Sequence, residues 1–212
     1  MEIAVIGTGR MGTALARSIG EHVAPPLWVS RDAGRLAERI RGEGIRAQPA
    51  TQEDALAAAD LVVPTLWFRD LLPWLESVRP ALAGKIVMDI SNPFDDTFEA
   101  FTTPFDTSSA EEVQRAVPEA RVVGAFKNTY WKVFEVPDRE PFPSDVLVTG
   151  DDADARRAVI ELLRPLPFRF LDAGVLANSR TVERMTLLSR EIALREGHHP
   201  VVSWRVWGKG AS

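Results

Sequence analysis

The sequence of 212 residues contains no cysteine. Thiol nucleophiles, disulfide bonds, iron–sulfur clusters and thiolate zinc sites are therefore excluded. The three histidines are His22, His198 and His199. An adjacent pair cannot chelate in an i, i+4 pattern, and no carboxylate cluster joins it, so we expect no metal site.

The chain also lacks an excess of positive charge and a long apolar run. Its formal net charge is −5, so nucleic acid is not an expected partner. No apolar segment is long enough to span a bilayer, and a core strand that begins at residue 2 or 3 leaves no room for a signal peptide. We therefore expect a cytoplasmic protein without a membrane partner.

Residue patterns of covalent and acid–base catalysis are missing as well. Neither Ser-x-x-Lys nor Gly-x-Ser-x-Gly occurs, so nucleophilic hydrolysis has no support. Tyr130 and Lys132 are two residues apart and cannot share a helix face, which argues against a Tyr/Lys carbonyl-reductase dyad. We expect no catalytic residue in the strict sense.

The amino terminus, by contrast, carries a strong motif. The apolar run Ile3–Ile6 leads straight into Gly7-Thr8-Gly9-Arg10-Met11-Gly12, a G-x-G-x-x-G sequence in the context of a dinucleotide-binding turn. The first glycine permits a tight turn, the second lets a pyrophosphate approach, and the third lets the next helix pack closely. An amphipathic helix follows, with one face formed by Met11, Ala14, Leu15, Ser18 and Ile19. The alternative is a glycine-rich turn without a ligand.

The end of the second predicted strand bears on which dinucleotide binds. Leu27–Val29 is apolar and β-prone, and Ser30 and Arg31 follow it. Ser30 lies eighteen positions after Gly12, about where NAD-binding proteins place an acid on the ribose. A hydroxyl followed by a guanidinium instead matches the oxygens of a 2′-phosphate. This pattern favours NADP over NAD.

Neighbouring charges support or oppose this interpretation. Arg35, one turn further on, and Arg10, inside the glycine loop, add positive charge. Asp32 opposes it, unless its carboxylate caps the next helix. The alternative is that Arg31 and Arg35 are ordinary surface charges at a helix start.

Strand and helix patterns alternate along the whole chain, which is typical of repeated βα units. We expect an α/β protein with a Rossmann-type, doubly wound, mostly parallel sheet, extended by C-terminal βαβα elements. The later predicted elements are strands at 45–47, 61–63, 85–90, 121–126, 145–149 and 169–171, and helices at 66–78, 110–117, 151–163 and 175–194. The whole of 1–212 is predicted to be one NADP-binding domain, with its core at 1–126 and its extension at 145–212.

Two aromatic loops follow strands at the sheet edge where ligands bind. Residues 93–108 contain Phe94, Phe98, Phe101 and Phe105, and residues 127–144 contain Tyr130, Trp131, Phe134 and Phe142. Each loop is a candidate pocket wall, and the alternative is a plug that covers the sheet. In the tail 201–207, an alternating segment, two tryptophans are costly to leave in water, which suggests a homodimer.

The chain resembles the coenzyme F420-dependent NADP oxidoreductases and the related cytosolic domains of the STEAP metalloreductases. The resemblance runs over nearly the whole chain. Besides the glycine loop and the Ser-Arg pair with Arg35, it rests on Trp67, on 122–126 (VVGAF), on 148–152 (VTGDD) and on 171–180 (LDAGVLANSR). The last two segments are the more specific ones.

This resemblance implies NADP as cofactor, coenzyme F420 as a second cofactor, and direct hydride transfer between nicotinamide and deazaflavin without an acid or base. The expected cofactor-binding residues are Gly7, Thr8, Gly9, Arg10, Met11, Gly12, Ser30, Arg31, Arg35, Thr65, Leu66, Trp67, Asn92 and Ala125. A small-molecule second substrate is expected at Lys127, Asn128, Tyr130 and Trp131. Asp172, Asn178 and Arg180 are expected to be structural.

One segment departs from the family pattern. After the sixth strand the family typically has a short His-Thr-Ile-Pro or Asn-Thr-Ile-Ser run, and here it reads Lys127-Asn128-Thr129-Tyr130-Trp131. A bulkier, more basic segment there leaves open an NADPH-dependent reductase of a small imine, carbonyl or flavin substrate. The lack of acid–base residues leaves open a non-catalytic NADP-binding sensor.

Overall fold

The computed structural model describes residues 1–135 and 143–208. Its eight strands are β1 (Ile3–Ile6), β2 (Leu27–Val29), β3 (Gln48–Ala50), β4 (Leu61–Pro64), β5 (Ile86–Asp89), β6 (Arg121–Gly124), β7 (Asp145–Val148) and β8 (Arg169–Asp172). Its α-helices are α1 (Arg10–His22), α2 (Ala33–Glu43), α3 (Gln52–Ala58), α4 (Phe68–Leu82), α5 (Ser109–Ala116), α6 (Ala153–Leu163) and α7 (Ser179–Arg195). Two short 3-10 helices lie at Trp131–Glu135 and Leu176–Asn178.

Six of the strands form one parallel sheet in the order β3-β2-β1-β4-β5-β6. The chain winds outward from β1 to β3 and then returns to build β4, β5 and β6 on the other side of β1. The order therefore reverses between β1 and β4, where open α/β sheets bind ligands. This arrangement confirms the predicted Rossmann-type, doubly wound fold.

The sheet is covered on both faces because side chains along each strand alternate in direction. In β1, Ile3 and Val5 join an apolar cluster with residues of α1, α2 and α6. Ala4 and Ile6 join a second cluster with residues of α3, α4 and α5. All four β1 side chains are buried, as in a strand at the centre of a three-layer fold.

The C-terminal strands β7 and β8 pair with each other in parallel and form a separate two-stranded sheet. They meet the main sheet at one antiparallel bridge, where Gly124 and Thr149 exchange two N–H···O bonds of 2.9 Å. A side chain on Gly124 would collide with Thr149, since its Cβ would lie 2.6 Å from Oγ1. The predicted C-terminal extension is confirmed.

Some predicted boundaries were wrong. The third strand was expected at 45–47, but it is Gln48–Ala50, because Ile45 still bonds back to Ile40 of α2 and only Gln48 pairs with Leu27. Helix α4 begins at Phe68, two residues later than predicted. The tail 201–207 forms no strand, although the Trp204 carbonyl accepts a bond of 2.9 Å from the N–H of Asp145.

Candidate active site

The glycine loop between β1 and α1 has the geometry that an anion requires. Gly7 has a φ of +110°, and a Cβ on Gly12 would lie 2.4 Å from the Gly7 carbonyl oxygen, so both positions need glycine. Around Gly9, by contrast, no atom lies within 4 Å of a Cβ position. The start of α1 has no side-chain cap, which leaves its first N–H groups for a ligand.

Two side chains from neighbouring strands hold this loop. The Thr65 hydroxyl, just after β4, donates to the Ile6 carbonyl at 2.9 Å. The Trp28 indole N–H, from β2, donates to the Gly7 carbonyl at 2.8 Å, and Trp28 is fully buried. Thr65 was among the expected cofactor residues, whereas the role of Trp28 was missed because an apolar strand residue gives no sign of a polar contact.

Beside this loop a cavity of about 560 Å³ brings the predicted phosphate-binding residues together. Its lining comprises Thr8, Ser30, Arg31, Asp32, Arg35, Leu36, Arg39 and Glu43. Hydroxyl groups and guanidinium forks that converge in this way form the donor set that a phosphate monoester needs. The site therefore fits the 2′-phosphate of NADP.

Asp32, whose negative charge opposes the NADP interpretation, has another role. Its side chain caps α2 by accepting the N–H of Arg35 at 2.9 Å. Its backbone N–H is bonded to the Ser30 hydroxyl at 3.0 Å. The carboxylate is thereby engaged at the helix start.

Arg39 and Glu43 were missed by the sequence reasoning. The Arg39 guanidinium donates from Nη1 to the Thr8 carbonyl at 3.2 Å and from Nε to Glu43 at 2.8 Å. The signal was present in the spacing, because 31, 35, 39 and 43 are four residues apart, and the last three lie one turn apart on one face of α2.

A second groove, of about 780 Å³, runs along the side of α1 that faces the 3-10 helix Trp131–Glu135. Arg10 lies on the ring of Trp131, with its guanidinium carbon 4.7 Å from the ring centroid. Trp131 therefore reaches the glycine loop. Thr8, Arg39 and Glu43 line both this groove and the phosphate cavity, so the two are adjacent.

The other half of the sheet edge carries an aromatic cluster formed by Trp67, Phe94, Phe98 and Phe101. Trp67 is 55% exposed and meets Phe98 edge-on at 5.7 Å between ring centroids. Phe98 has a φ of +62°, a conformation rare for a bulky residue, which often marks a functional loop. The cluster follows β4 and β5, on the side where a nicotinamide would lie if the adenine half occupied the β2 side.

The remaining expected cofactor residues have different surroundings. Asn92, just after β5, donates from Nδ2 to the Lys127 carbonyl at 2.7 Å, and its Oδ1 is buried with no partner among the described residues. Ala125 is fully buried. Trp67, Asn92 and Ala125 line neither of the two cavities described above.

Lys127 was expected to meet a ligand, and the structure corrects this expectation. Its side chain is 1% exposed and ion-paired with Asp89 and with Glu183, the latter at 3.0 Å. Its ammonium also donates to the Ser109 hydroxyl at 2.6 Å and to the Ser91 carbonyl at 2.7 Å. These four partners take up the charge inside the protein, so none of it faces a cleft.

The pKa of Lys127 agrees with its place in this buried cluster. Burial by itself would lower the pKa of Lys127, but the attraction of Asp89 and Glu183 outweighs it and raises the pKa above its usual value. Both carboxylates are also hydrogen-bonded, Asp89 to Ser91 at 2.7 Å and Glu183 to the N–H of Ser109 at 2.9 Å. Lys127 therefore stays protonated and joins β5, β6, α5 and α7.

The other expected substrate residues are not all accessible either. Asn128 is 1% exposed. The Tyr130 hydroxyl donates to the Thr186 carbonyl at 3.2 Å, and burial raises the pKa of Tyr130 to about 12. Only Trp131 of the four lines a cavity described above. Residues 136–142, which include Phe142, lie outside the described residues.

The three residues expected to be structural have local partners. Asp172 is ion-paired with Arg156 at 2.8 Å, and Asn178 donates to the Ala173 carbonyl at 2.6 Å. Arg180 forms two hydrogen bonds to Glu111, of 2.9 and 2.6 Å. In residues 1–135 and 143–208, no three His, Asp or Glu side chains are grouped so that they could hold a metal ion.

Comparison with known proteins adds an independent observation. A family model described as coenzyme F420-dependent NADP oxidoreductase matches residues 2–93. Over 202 residues the chain is 32% identical to the F420-dependent NADP reductase of Methanocaldococcus jannaschii, and the match covers 89% of this chain and 90% of that protein. The chain belongs to the F420-dependent NADP reductase family.

Two other proteins are also similar to this chain. The metalloreductase STEAP3 of Rattus norvegicus is 30% identical over 187 residues, which is 88% of this chain but only 36% of that protein. A solved structure of a proposed F420-dependent NADP reductase from Arthrobacter sp. FB24 superposes with a TM-score of 0.80 and covers 98% of this chain and 100% of that one. Its sequence identity is 24%, so it supports the fold alone.

Proposed function

We propose that this protein is an NADP-dependent oxidoreductase that passes a hydride between NADPH and coenzyme F420. The observation that carries the proposal is the uncapped start of α1 directly beside a cavity lined by Ser30, Arg31 and Arg35. Family membership supports the second cofactor, because the relative from Methanocaldococcus jannaschii is an F420-dependent NADP reductase.

The proposed binding mode divides NADP between the two halves of the sheet edge. The N–H groups of Gly9 to Gly12 hold the pyrophosphate, and Thr8, Ser30, Arg31 and Arg35 hold the 2′-phosphate. Thr65, Leu66, Trp67, Asn92 and Ala125, which follow β4, β5 and β6, would hold the nicotinamide half. The second substrate approaches from the side of Tyr130 and Trp131.

When bound, NADPH supplies the hydride itself, so the protein needs no acid or base for the transfer. The role of the chain is to hold two rings close and to keep water away from them. The aromatic cluster of Trp67, Phe94, Phe98 and Phe101 offers the apolar surface for this.

Reduction of a small imine, carbonyl or flavin is the first alternative function, and a non-catalytic NADP sensor is the second. The main support for the first was the bulky, basic segment after β6, and the second was compatible with the lack of acid–base residues. Lys127 and Asn128 point into the protein, so this segment alters the cleft less than its composition suggests. The remaining departure is the ring pair of Tyr130 and Trp131.

The test is to mix the protein with NADPH and F420 and to follow the loss of the visible absorption band of F420. NADH and free flavin are run in parallel. Rapid bleaching with NADPH alone is the expected result. Tight NADPH binding without turnover of F420 would contradict it and leave the alternative acceptors, and failure with every acceptor would favour the sensor.

We also propose a homodimer in the cytoplasm and one domain that spans 1–212. The dimer is supported by Leu188 and Ile192, which α7 exposes one turn apart. Of the tail tryptophans that suggested it, Trp204 is half-buried and Trp207 is 67% exposed. Light scattering after gel filtration measures the mass.

Among the helices that the structure describes, none has the length and apolarity needed to cross a bilayer.

A further inference from the structure

Apart from Asp32, which caps α2, the phosphate cavity contains two charged side chains that the proposed binding mode does not use. They are Arg39 and Glu43, from the second half of α2. Arg35, Arg39 and Glu43 are spaced four residues apart and face the glycine loop together. Three arginines and two carboxylates therefore line this cavity, so its positive charge is largely offset before any ligand enters.

Arg39 is held in place by hydrogen bonds, but they do not use all of its N–H donors. An arginine has five N–H donors, and Arg39 uses Nε for Glu43 and Nη1 for the Thr8 carbonyl. No bond from Nη2 to the described residues accompanies these two. The guanidinium carbon lies 5.6 Å from the Trp28 ring centroid, and the side chain remains 34% exposed. Arg39 is thus a fixed, accessible cation beside Thr8.

Glu43 is the counter-ion of this arginine. Its Oε1 accepts from Arg39, and its Oε2 accepts from Arg17 of α1 at 3.0 Å. One carboxylate therefore neutralises two arginines and stands between the phosphate cavity and the groove along α1. Asp32, the other acid in the cavity, is engaged as the cap of α2.

We propose that Arg39 is a further determinant of NADP specificity and that Glu43 restrains it. Arg39 directs its unused N–H donors to the 2′-phosphate, and Glu43 reduces the affinity for that phosphate by competing for the same guanidinium. This inference rests on the proposed function. It adds a cation one helical turn beyond Arg35 and assigns opposite effects on affinity to Arg39 and Glu43.

The test compares NADPH and NADH affinities of three variants by titration calorimetry. Arg39→Met removes the charge and keeps an apolar stem over Trp28. Glu43→Gln keeps the shape and removes the negative charge. Glu38→Gln, an exposed residue of α2 outside the cavity, makes the same change in net charge and serves as the control.

We expect Arg39→Met to weaken NADPH binding by about tenfold or more, as for a lost hydrogen bond to a charged group, and to change NADH binding less than twofold. Glu43→Gln should strengthen NADPH binding about three- to tenfold at low salt, and the gain should shrink at high salt because the interaction is electrostatic. Glu38→Gln should change neither affinity.

Equal losses of NADPH and NADH affinity in Arg39→Met would overturn the proposal, because Arg39 would then only support the Thr8 loop. Equal effects of Glu43→Gln and Glu38→Gln would overturn the role of Glu43. If Arg39→Met does not fold, the isosteric Glu43→Gln decides alone. A wild-type protein that binds NADPH no better than NADH would instead refute the proposed NADP dependence itself.

Discussion

Two basic sites lie at the same edge of the sheet, but one is open to solvent and the other is buried. At the end of β2, three arginines line a cavity open to solvent. At the ends of β5 and β6, Lys127 is closed off by Asp89 and Glu183. Both follow parallel strands, where ligands bind. The difference teaches that such a position does not by itself make a cation a ligand contact, because a cation that is both buried and paired is satisfied within the chain.

The two sites also differ in what their charges contribute. A buried ion pair gains little over an apolar pair of the same shape, but loss of one partner leaves an uncompensated buried charge. A charge on an open cavity wall costs little to remove and contributes to ligand affinity instead. Stability should therefore depend on Lys127, and affinity on the arginines.

The largest expected effect is on stability. Lys127→Met should lower the free energy of unfolding by about 3–5 kcal/mol, because it leaves two buried carboxylates without their counter-charge. Urea denaturation measures this. Lys132→Met, which removes the same charge from an exposed pair with Glu135, should leave stability almost unchanged. Unchanged stability of Lys127→Met would remove the contrast between the two sites.

The second effect is on cofactor choice. Arg31→Ala should weaken NADPH binding by about 1.5–3 kcal/mol, the range for a hydrogen bond to a charged group, while NADH binding changes little. Binding is measured by calorimetry for both cofactors. Arg41→Ala, an exposed arginine of the following helix α2 that lies outside the cavity, is the matched control. An equal loss for the two cofactors would show that Arg31 does not contact the 2′-phosphate.

The smallest effect concerns an ion pair of intermediate exposure. The hydrogen bonds from Arg180 lower the pKa of Glu111 below its usual value, despite partial burial. A carboxyl with a lowered pKa contributes stability above the pKa of the unfolded chain and loses it as the pH falls. Glu111→Gln should slightly lower the melting temperature at pH 7.

This deficit of Glu111→Gln should begin to shrink below about pH 4.3, the pKa of glutamate in the unfolded chain, and should vanish once the pH falls below the lower pKa of Glu111 in the folded protein. Thermal melts of the wild type and the variant from pH 7 to pH 3 measure it. Glu119→Gln, which breaks an exposed pair with Arg79, provides the comparison. A deficit that is the same at both ends of this range would mean that shape, not charge, matters at position 111.

The sheet and the glycine loop could be predicted because their signals are local. Apolar strands, a G-x-G-x-x-G turn and capping residues each lie within a few positions of the elements that they shape. Asp32, for example, caps α2, the role that the sequence allowed for it. The third strand was misplaced because its start depends on pairing with β2, which a single segment does not reveal.

The surroundings of Lys127 could not be predicted for the same reason. Asp89 lies 38 residues earlier in the chain, and Ser109 and Glu183 are themselves 74 residues apart. Only the folded sheet brings these side chains together. Arg39 differs, since its spacing from Arg35 was visible in the sequence and only its hydrogen bond to the glycine loop required the structure.

The junction between the main sheet and the β7–β8 pair has an evolutionary consequence. Two main-chain hydrogen bonds at Gly124 and Thr149, with the apolar face of α6, connect a complete β-α-β unit to a finished nucleotide-binding core. The core side of this junction also supplies an apolar surface, since Phe126 packs edge-on against Phe168 and Phe170. A unit exchanged by recombination would therefore have to match both this surface and the bare backbone at Gly124.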